Sequence, residues 1–179
     1  MLQIVIRDTE FFDERDSSIE IVKGRTLQLE HSLLSISKWE SIWKKPFLTK
    51  EKKTRDEIVS YIQCMNVGQQ PPDSIYKCIT SRHIKEVEAY IDDSMTATTI
   101  KNNGKRNSRK IITSELIYFW MIQNGIPFEC QKWHLNRLLT LIEICAIENG
   151  PKKKMSQNDI LRRNDALNEM RKAKHRTSG

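Results

Sequence analysis

Two histidines and one cysteine are the side chains whose types and spacing could do chemistry in this chain. His31 and His134 are candidate general bases, because an imidazole exchanges its proton near neutral pH. Cys130 and His134 lie four residues apart, so on a helix they would form half of a zinc site that still lacks two ligands. We interpret the cysteines instead as small buried apolar side chains of a reducing compartment, because no close pair occurs among Cys64, Cys78, Cys130 and Cys145.

No catalytic motif accompanies these residues. The sequence contains no G-x-S-x-G, no H-E-x-x-H, no P-loop and no G-x-G-x-x-G. Six glycines leave little material for a loop that binds phosphate. We therefore predict that the protein is not an enzyme and that it has no catalytic residue, no metal site and no cofactor.

The net charge of +7 is concentrated at the carboxyl end. Residues 150–179 carry nine basic and three acidic side chains, whereas the 149 residues before them carry 21 basic and 20 acidic ones. Residues 101–110 have no acidic or apolar side chain and predict a basic loop. The basic segments are candidate phosphate-binding sites; their residues are Lys101, Lys105, Arg106, Arg109, Lys110, Lys152, Lys153, Lys154, Arg162, Arg163, Arg171 and Lys172.

The elements that must position these residues follow from hydrophobic periodicity. Alternation over residues 2–6, 19–23 and 26–30 predicts three strands in a small antiparallel sheet, with a turn at Gly24, that packs on helices. From residue 32 onward the period is helical. We predict a mainly α chain with a small N-terminal antiparallel β element (α+β), divided into residues 1–31, a helical body over 32–149, and a basic helical extension over 150–179. The sequence contains no run of about 18 apolar residues, so we predict no membrane-spanning helix.

Capping residues mark the helix boundaries. Ser32 and Thr54 predict helix starts, and Gly125 predicts the end of a helix over 114–124. Residues 129–149 predict the longest helix. Because apolar side chains cover more than half of its circumference, we expect that helix to be buried centrally.

Two groups of apolar side chains are candidates for binding a partner. Trp39, Trp43 and Phe47 alternate with lysines, a pattern typical either of core residues with lysine stems packed over them or of an exposed groove for a helix or a nucleic-acid base. The final helix has a narrow apolar stripe that it cannot bury by itself. We hypothesise that this stripe faces a partner or a second copy; its residues are Ile160, Leu167 and Met170.

Three segments together resemble the tail assembly chaperones of long-tailed phages. They are TLQLEHSLLSISKWES at residues 26–41, IPFECQKWHLNRLLTLI at 126–142, and PKKKMS at 151–156 followed by NDALN at 164–168. The second segment is the most specific of the three, and the resemblance spans nearly the whole chain.

The resemblance implies a helical, non-enzymatic chaperone in the cytoplasm of an infected bacterium. It implies that the chaperone binds the tape-measure protein, keeps it soluble, helps to recruit the tail-tube protein and is absent from the finished virion. Two alternatives remain at this point. One is a structural head–tail connector or tail-completion subunit, and the other is a nucleic-acid-binding accessory protein. Outside this second alternative, we do not expect nucleic acid to be the main partner.

Overall fold

The computed structural model describes residues 1–13, 18–100, 111–150 and 157–175 of the 179-residue chain. It confirms the mainly helical α+β class with a small N-terminal β element. In the described ranges the strands are β1 (Leu2–Ile6), β2 (Thr9–Asp13), β3 (Ser18–Val22) and β4 (Arg25–Leu29). The helices are α1 (Leu33–Trp43), α2 (Arg55–Met65), α3 (Asp73–Lys77), α4 (Ser81–Asp92), α5 (Ser114–Gln123), a 3-10 helix (Phe128–Lys132), α6 (Leu135–Glu148) and α7 (Gln157–His175).

The four strands form one antiparallel arm built from two ladders. β1 pairs with β4, and β2 pairs with β3. The register is continuous across the gap, because Ile6 lies opposite Arg25 and Thr9 lies opposite Val22. The prediction of three strands therefore missed β2. The strands on either side of Gly24 also pair with the amino-terminal strands and not with each other.

Gly24 is needed where the two ladders meet. Its N–H donates to Asp8 Oδ1 at 2.7 Å. A Cβ atom at this position would lie 2.4 Å from the carbonyl oxygen of Ile6, and real Cβ atoms do not approach backbone so closely. The glycine thus permits the close backbone contact that joins the ladders.

The predicted helix boundaries at Ser32, Thr54 and Gly125 are confirmed. The Ser32 hydroxyl accepts from the N–H of Ser35 at 3.2 Å, and Thr54 forms a capping box with Glu57. Gly125 ends α5 in the left-handed region with φ 64°, and the next N–H, that of Ile126, donates to the carbonyl of Met121 at 2.9 Å. This is a Schellman end, in which glycine adopts the left-handed backbone without the strain that a side chain would bring.

The prediction of one long, centrally buried helix over 129–149 is wrong. A 3-10 helix ends at Lys132, His134 pairs with Ser32 as an extended bridge, and α6 begins at Leu135. The longest helix in the described ranges is α7, with 19 residues against 14 for α6. Helix α6 is buried on one face only, through Leu135, Leu138 and Ile142.

The chain divides into two compact units, Met1–Ile147 and Glu148–Gly179. We call the first unit the body. In the body, α1 packs against α2 and α5, β4 contacts α2, and β1 contacts α4. The buried core runs from Ile4 to Ile142 and includes Trp39, Leu33, Ile62, Met65, Ile117 and Met121. Among the helices described, none is long and apolar enough to cross a lipid bilayer.

Candidate functional site

The two histidines lie inside the body and not at its surface. His31 is 1% exposed, and His134 is also buried. Their rings meet edge to face with centroids 5.1 Å apart. His31 Nδ1 is hydrogen-bonded to the Tyr61 hydroxyl at 2.5 Å. Because both imidazoles are surrounded by protein, neither faces a substrate arriving from solvent.

The spacing of Cys130 and His134 does not produce a half zinc site. Cys130 belongs to the 3-10 helix and His134 lies beyond its end, so the two residues do not share a helix. Both ring nitrogens of His134 are already engaged, Nε2 with the carbonyl of Tyr90 at 3.0 Å and Nδ1 with the N–H of Asn136 at 3.3 Å. Within the described residues no cluster of three or more metal-ligating side chains occurs.

The aromatic candidates belong largely to the core. Trp39 is 1% exposed and Phe47 is buried, so neither ring is available to a partner. The Trp39 indole N–H donates to the carbonyl of Glu57 at 2.9 Å, and the Lys53 ammonium lies 4.3 Å from the Phe47 ring centroid. Only half-buried Trp43 reaches the surface. The interpretation as core with lysines packed over it is therefore the one that the structure shows for Trp39 and Phe47.

An exposed apolar face lies instead on α5. This ten-residue helix, SELIYFWMIQ, is apolar on nearly every side, and its buried face consists of Ser114, Ile117 and Met121. Successive residues rotate by about 100° around a helix, which places Phe119 and Ile122 on the side away from the core. Phe119 is 56% exposed and Ile122 is 63% exposed.

The segment after α5 extends this face. Phe128 is also exposed, and its ring centroid lies 6.3 Å from that of Tyr118. Tyr118 is one helical turn from Ile122, so Tyr118 lies between the exposed side chains of Ile122 and Phe128. We call Phe119, Ile122 and Phe128 the α5 surface.

The charges described around the α5 surface include two exposed carboxylates. Glu115 lies one turn before Phe119, and a hydrogen bond from its own backbone N–H, with others from Thr113 and Ser114, lowers its pKa. Glu129 follows Phe128 and is exposed. A surface of this composition suits the apolar stripe of a helix whose flanks carry basic residues.

Helix α7 is exposed over the side chains that the structure describes. The described side chains from Leu161 to Lys174 all reach solvent, including the predicted contact residues Leu167 and Met170. Its basic residues Arg162, Arg163, Arg171 and Lys172 are also exposed. The Ile160 side chain and the basic residues of 101–110 and 152–154 lie outside the described residues.

Sequence reasoning missed the α5 surface although a signal was present. Seven consecutive apolar side chains follow Glu115, and the Thr113 and Gly125 boundaries confine them to three turns of helix. A short helix buries only the side that contacts its neighbours, so such a run leaves some side chains outside. An apolar circumference is a prediction for residues 129–149, but α5 is the helix whose apolar side chains extend around most of its circumference.

No protein-family model matches this chain, and searches of curated proteins and of solved structures find no significant match.

Proposed function

We propose that this chain is a non-enzymatic assembly chaperone that binds an extended amphipathic helix. Its client in this proposal is the tape-measure protein of a long-tailed phage, as the resemblance of residues 26–41, 126–142 and 151–168 to the tail assembly chaperones implies. The observation that supports the proposal most is the α5 surface, where Phe119, Ile122 and Phe128 are exposed together beside the core.

In this proposal the α5 surface binds the apolar stripe of the client helix. Burying a fully exposed large apolar side chain contributes roughly 1.5–3 kcal/mol, so three side chains that are 54–63% exposed gain about half of that each and offset part of the cost of association. A tape-measure helix would place residues at i, i+3 and i+4 against Phe119 and Ile122. Glu115 and Glu129 would meet basic residues that flank the client's apolar stripe.

Helix α7 supplies a second contact in the proposal. Leu167 and Met170 are exposed on a helix that also carries five described basic residues, a pattern that suits either the client or a second copy of the chain. The tail-tube protein is the further partner that the resemblance implies.

Nucleic-acid binding is the second candidate, favoured by the exposed basic residues of α7. If all five of its described arginines and lysines contacted phosphates, the logarithm of the affinity would fall with the logarithm of salt concentration with a slope of about −4.5. Binding through the α5 surface would show little such dependence, because apolar burial is not screened by salt.

The experiment is co-expression with the tape-measure protein of the same phage, followed by purification in 0.5 M salt. The Debye length is then roughly 4 Å, so charge attraction alone does not hold a complex together. We expect a soluble client that co-purifies with this chain. An insoluble client together with an unbound chain that forms rings would favour the structural connector, and loss of the complex by salt alone would favour contacts through α7.

A further inference from the structure

The buried histidines occupy a junction between four parts of the body. His31 lies between β4 and α1, and His134 lies directly before α6. The N–H of Leu135 donates to the carbonyl of His31 at 2.7 Å, and Ser32 pairs with His134. Tyr61 brings in α2, and Tyr90 brings in α4. We call His31 and His134 with these two tyrosines the histidine junction.

Hydrogen bonds fix the tautomer of the His134 ring in this junction. A carbonyl can only accept a hydrogen bond, so His134 Nε2 carries a proton and its N–H donates to the carbonyl of Tyr90. Nδ1 is then unprotonated and accepts from the N–H of Asn136. A second proton on His31 would place a cation beside this ring, whose centroid lies 5.1 Å from that of His31.

Among the described groups that face the two imidazoles, none is a carboxylate free to stabilise a protonated ring. Tyr61 and Tyr90 are neutral phenols, and burial raises the pKa of both. The Cys64 thiol of α2 lies near Tyr61, and burial raises its pKa too. Glu30 accepts from the Tyr90 hydroxyl at 2.7 Å and lies 3.2 Å from the amino group of Met1, so its charge is already engaged. No hydrogen bond in the described part of the chain joins a carboxylate to either imidazole.

We propose that the histidine junction is a proton-operated latch. Protonation of His31 separates the start of α6 from the His31–Ser32 segment, while α5, which contributes no residue to the junction, keeps its packing against α1. The opened form exposes Leu135 and Leu138, which are buried in the closed form. This proposal does not depend on the chaperone function, because it concerns the body alone.

The sign of the pH effect follows from the two states of His31. Burial, with the neighbouring His134 as a smaller cause, lowers the pKa of His31 to about 3, whereas a solvated histidine titrates near about 6.5. The opened form therefore binds more protons between these values. The closed form is therefore most stable relative to the open form above about pH 6.5. Each pH unit below that value raises the ratio of open to closed form up to about tenfold.

Hydrogen exchange of single amides across pH 7.5 to 4.5 tests the latch on the full chain. The Leu135 amide reports the junction, and the amide of the fully buried Met121 on α5 reports global unfolding. We expect the Leu135 protection factor to fall up to about 100-fold between pH 6.5 and 4.5, well ahead of that of Met121. A parallel fall at the two amides, or no fall at Leu135, would overturn the proposal.

Two histidine variants make the assignment specific. His31→Gln should flatten the pH response of Leu135, because an amide does not titrate in this range. His83→Gln is the matched control, since His83 lies in a capping box on α4 where glutamine serves equally well, and it should keep the response. An unchanged response in His31→Gln would overturn the proposal.

A measurement on the unaltered chain covers the case in which His31→Gln does not fold. The imidazole resonance of His31 in the closed form should remain that of a neutral ring down to pH 5. A titration of that resonance with a midpoint between pH 6 and 7 would show that the closed junction accepts the charge, and the latch would then be excluded.

Discussion

At the scale of single residues, Glu40 sets the position of α5. Its buried carboxylate on α1 accepts from the N–H of Phe47 at 2.7 Å, and from the N–H and hydroxyl of Ser114 at 2.8 and 2.6 Å. One side chain thereby connects α1, the segment that follows it and the first turn of α5. Because that first turn is fixed, the side of α5 that carries Phe119 and Ile122 is directed away from the core.

Replacing Glu40 tests this role. We expect Glu40→Ala to lower the free energy of unfolding by about 3 kcal/mol or more, because buried donors of Phe47 and Ser114 lose their acceptor. Urea unfolding measures the change. The control is Glu88→Ala on the exposed side of α4, which should stay within about 0.5 kcal/mol of the unaltered chain. Equal effects of the two substitutions would contradict the role given to Glu40.

At the scale of elements, the β arm depends on one close backbone approach. Gly24→Ala should destabilise the body by about 1–3 kcal/mol, since the added methyl group must displace the backbone of Ile6 and Asp8. Gly68→Ala is the matched control, because its Cβ would meet only the tip of Gln28 at 4.0 Å. Thermal unfolding of the two variants measures the difference. A control that loses as much stability as Gly24→Ala would contradict the argument.

The elements that sequence predicted well are those fixed by local chemistry. Ser32, Thr54 and Gly125 act on backbone groups within a few residues, so their patterns can be recognised in one short window. Strand pairing is not local, because Leu2 pairs with Leu29 across the whole arm. The start of α6 was mispredicted for the same reason, since the contact of His134 with Ser32 interrupts an apolar spacing that looks helical.

The candidate site was predictable only in part. Leu167 and Met170 are exposed, and their contact with a partner stays a prediction. The pattern of aromatic and basic residues around Trp39 and Phe47 is the same for a core as for an exposed groove. Only the packing shows that these two side chains belong to the core. Which side of the largely apolar α5 remains outside depends on Glu40 and on its contacts with Ser114, 74 residues away.

At the scale of the whole molecule, the described apolar side chains divide between a buried core and exposed surfaces. The buried core lies between Ile4 and Ile142, and no described side chain of α7 from Leu161 to Lys174 is buried. The body therefore has a complete core of its own, while the α5 surface and α7 retain apolar area that the fold does not use. Unused apolar area of this kind in a folded protein commonly marks a surface for another protein.

The central claim is that the α5 surface binds the helical client, and two matched substitutions test it most directly. Ile122→Asp places a carboxylate on that surface, whereas Ile42→Asp places one on α1; the two isoleucines are 63% and 61% exposed, and each is the second residue from the end of its helix. Any effect of the helix dipole is therefore shared.

The measurement is the amount of tape-measure protein that co-purifies with each variant in 0.5 M salt after co-expression. We predict a loss of about tenfold or more for Ile122→Asp, because an unpaired carboxylate buried in an apolar contact costs more than about 1.4 kcal/mol. Ile42→Asp should recover as much client as the unaltered chain. Undiminished recovery with Ile122→Asp, or an equal loss with both variants, would contradict the claim.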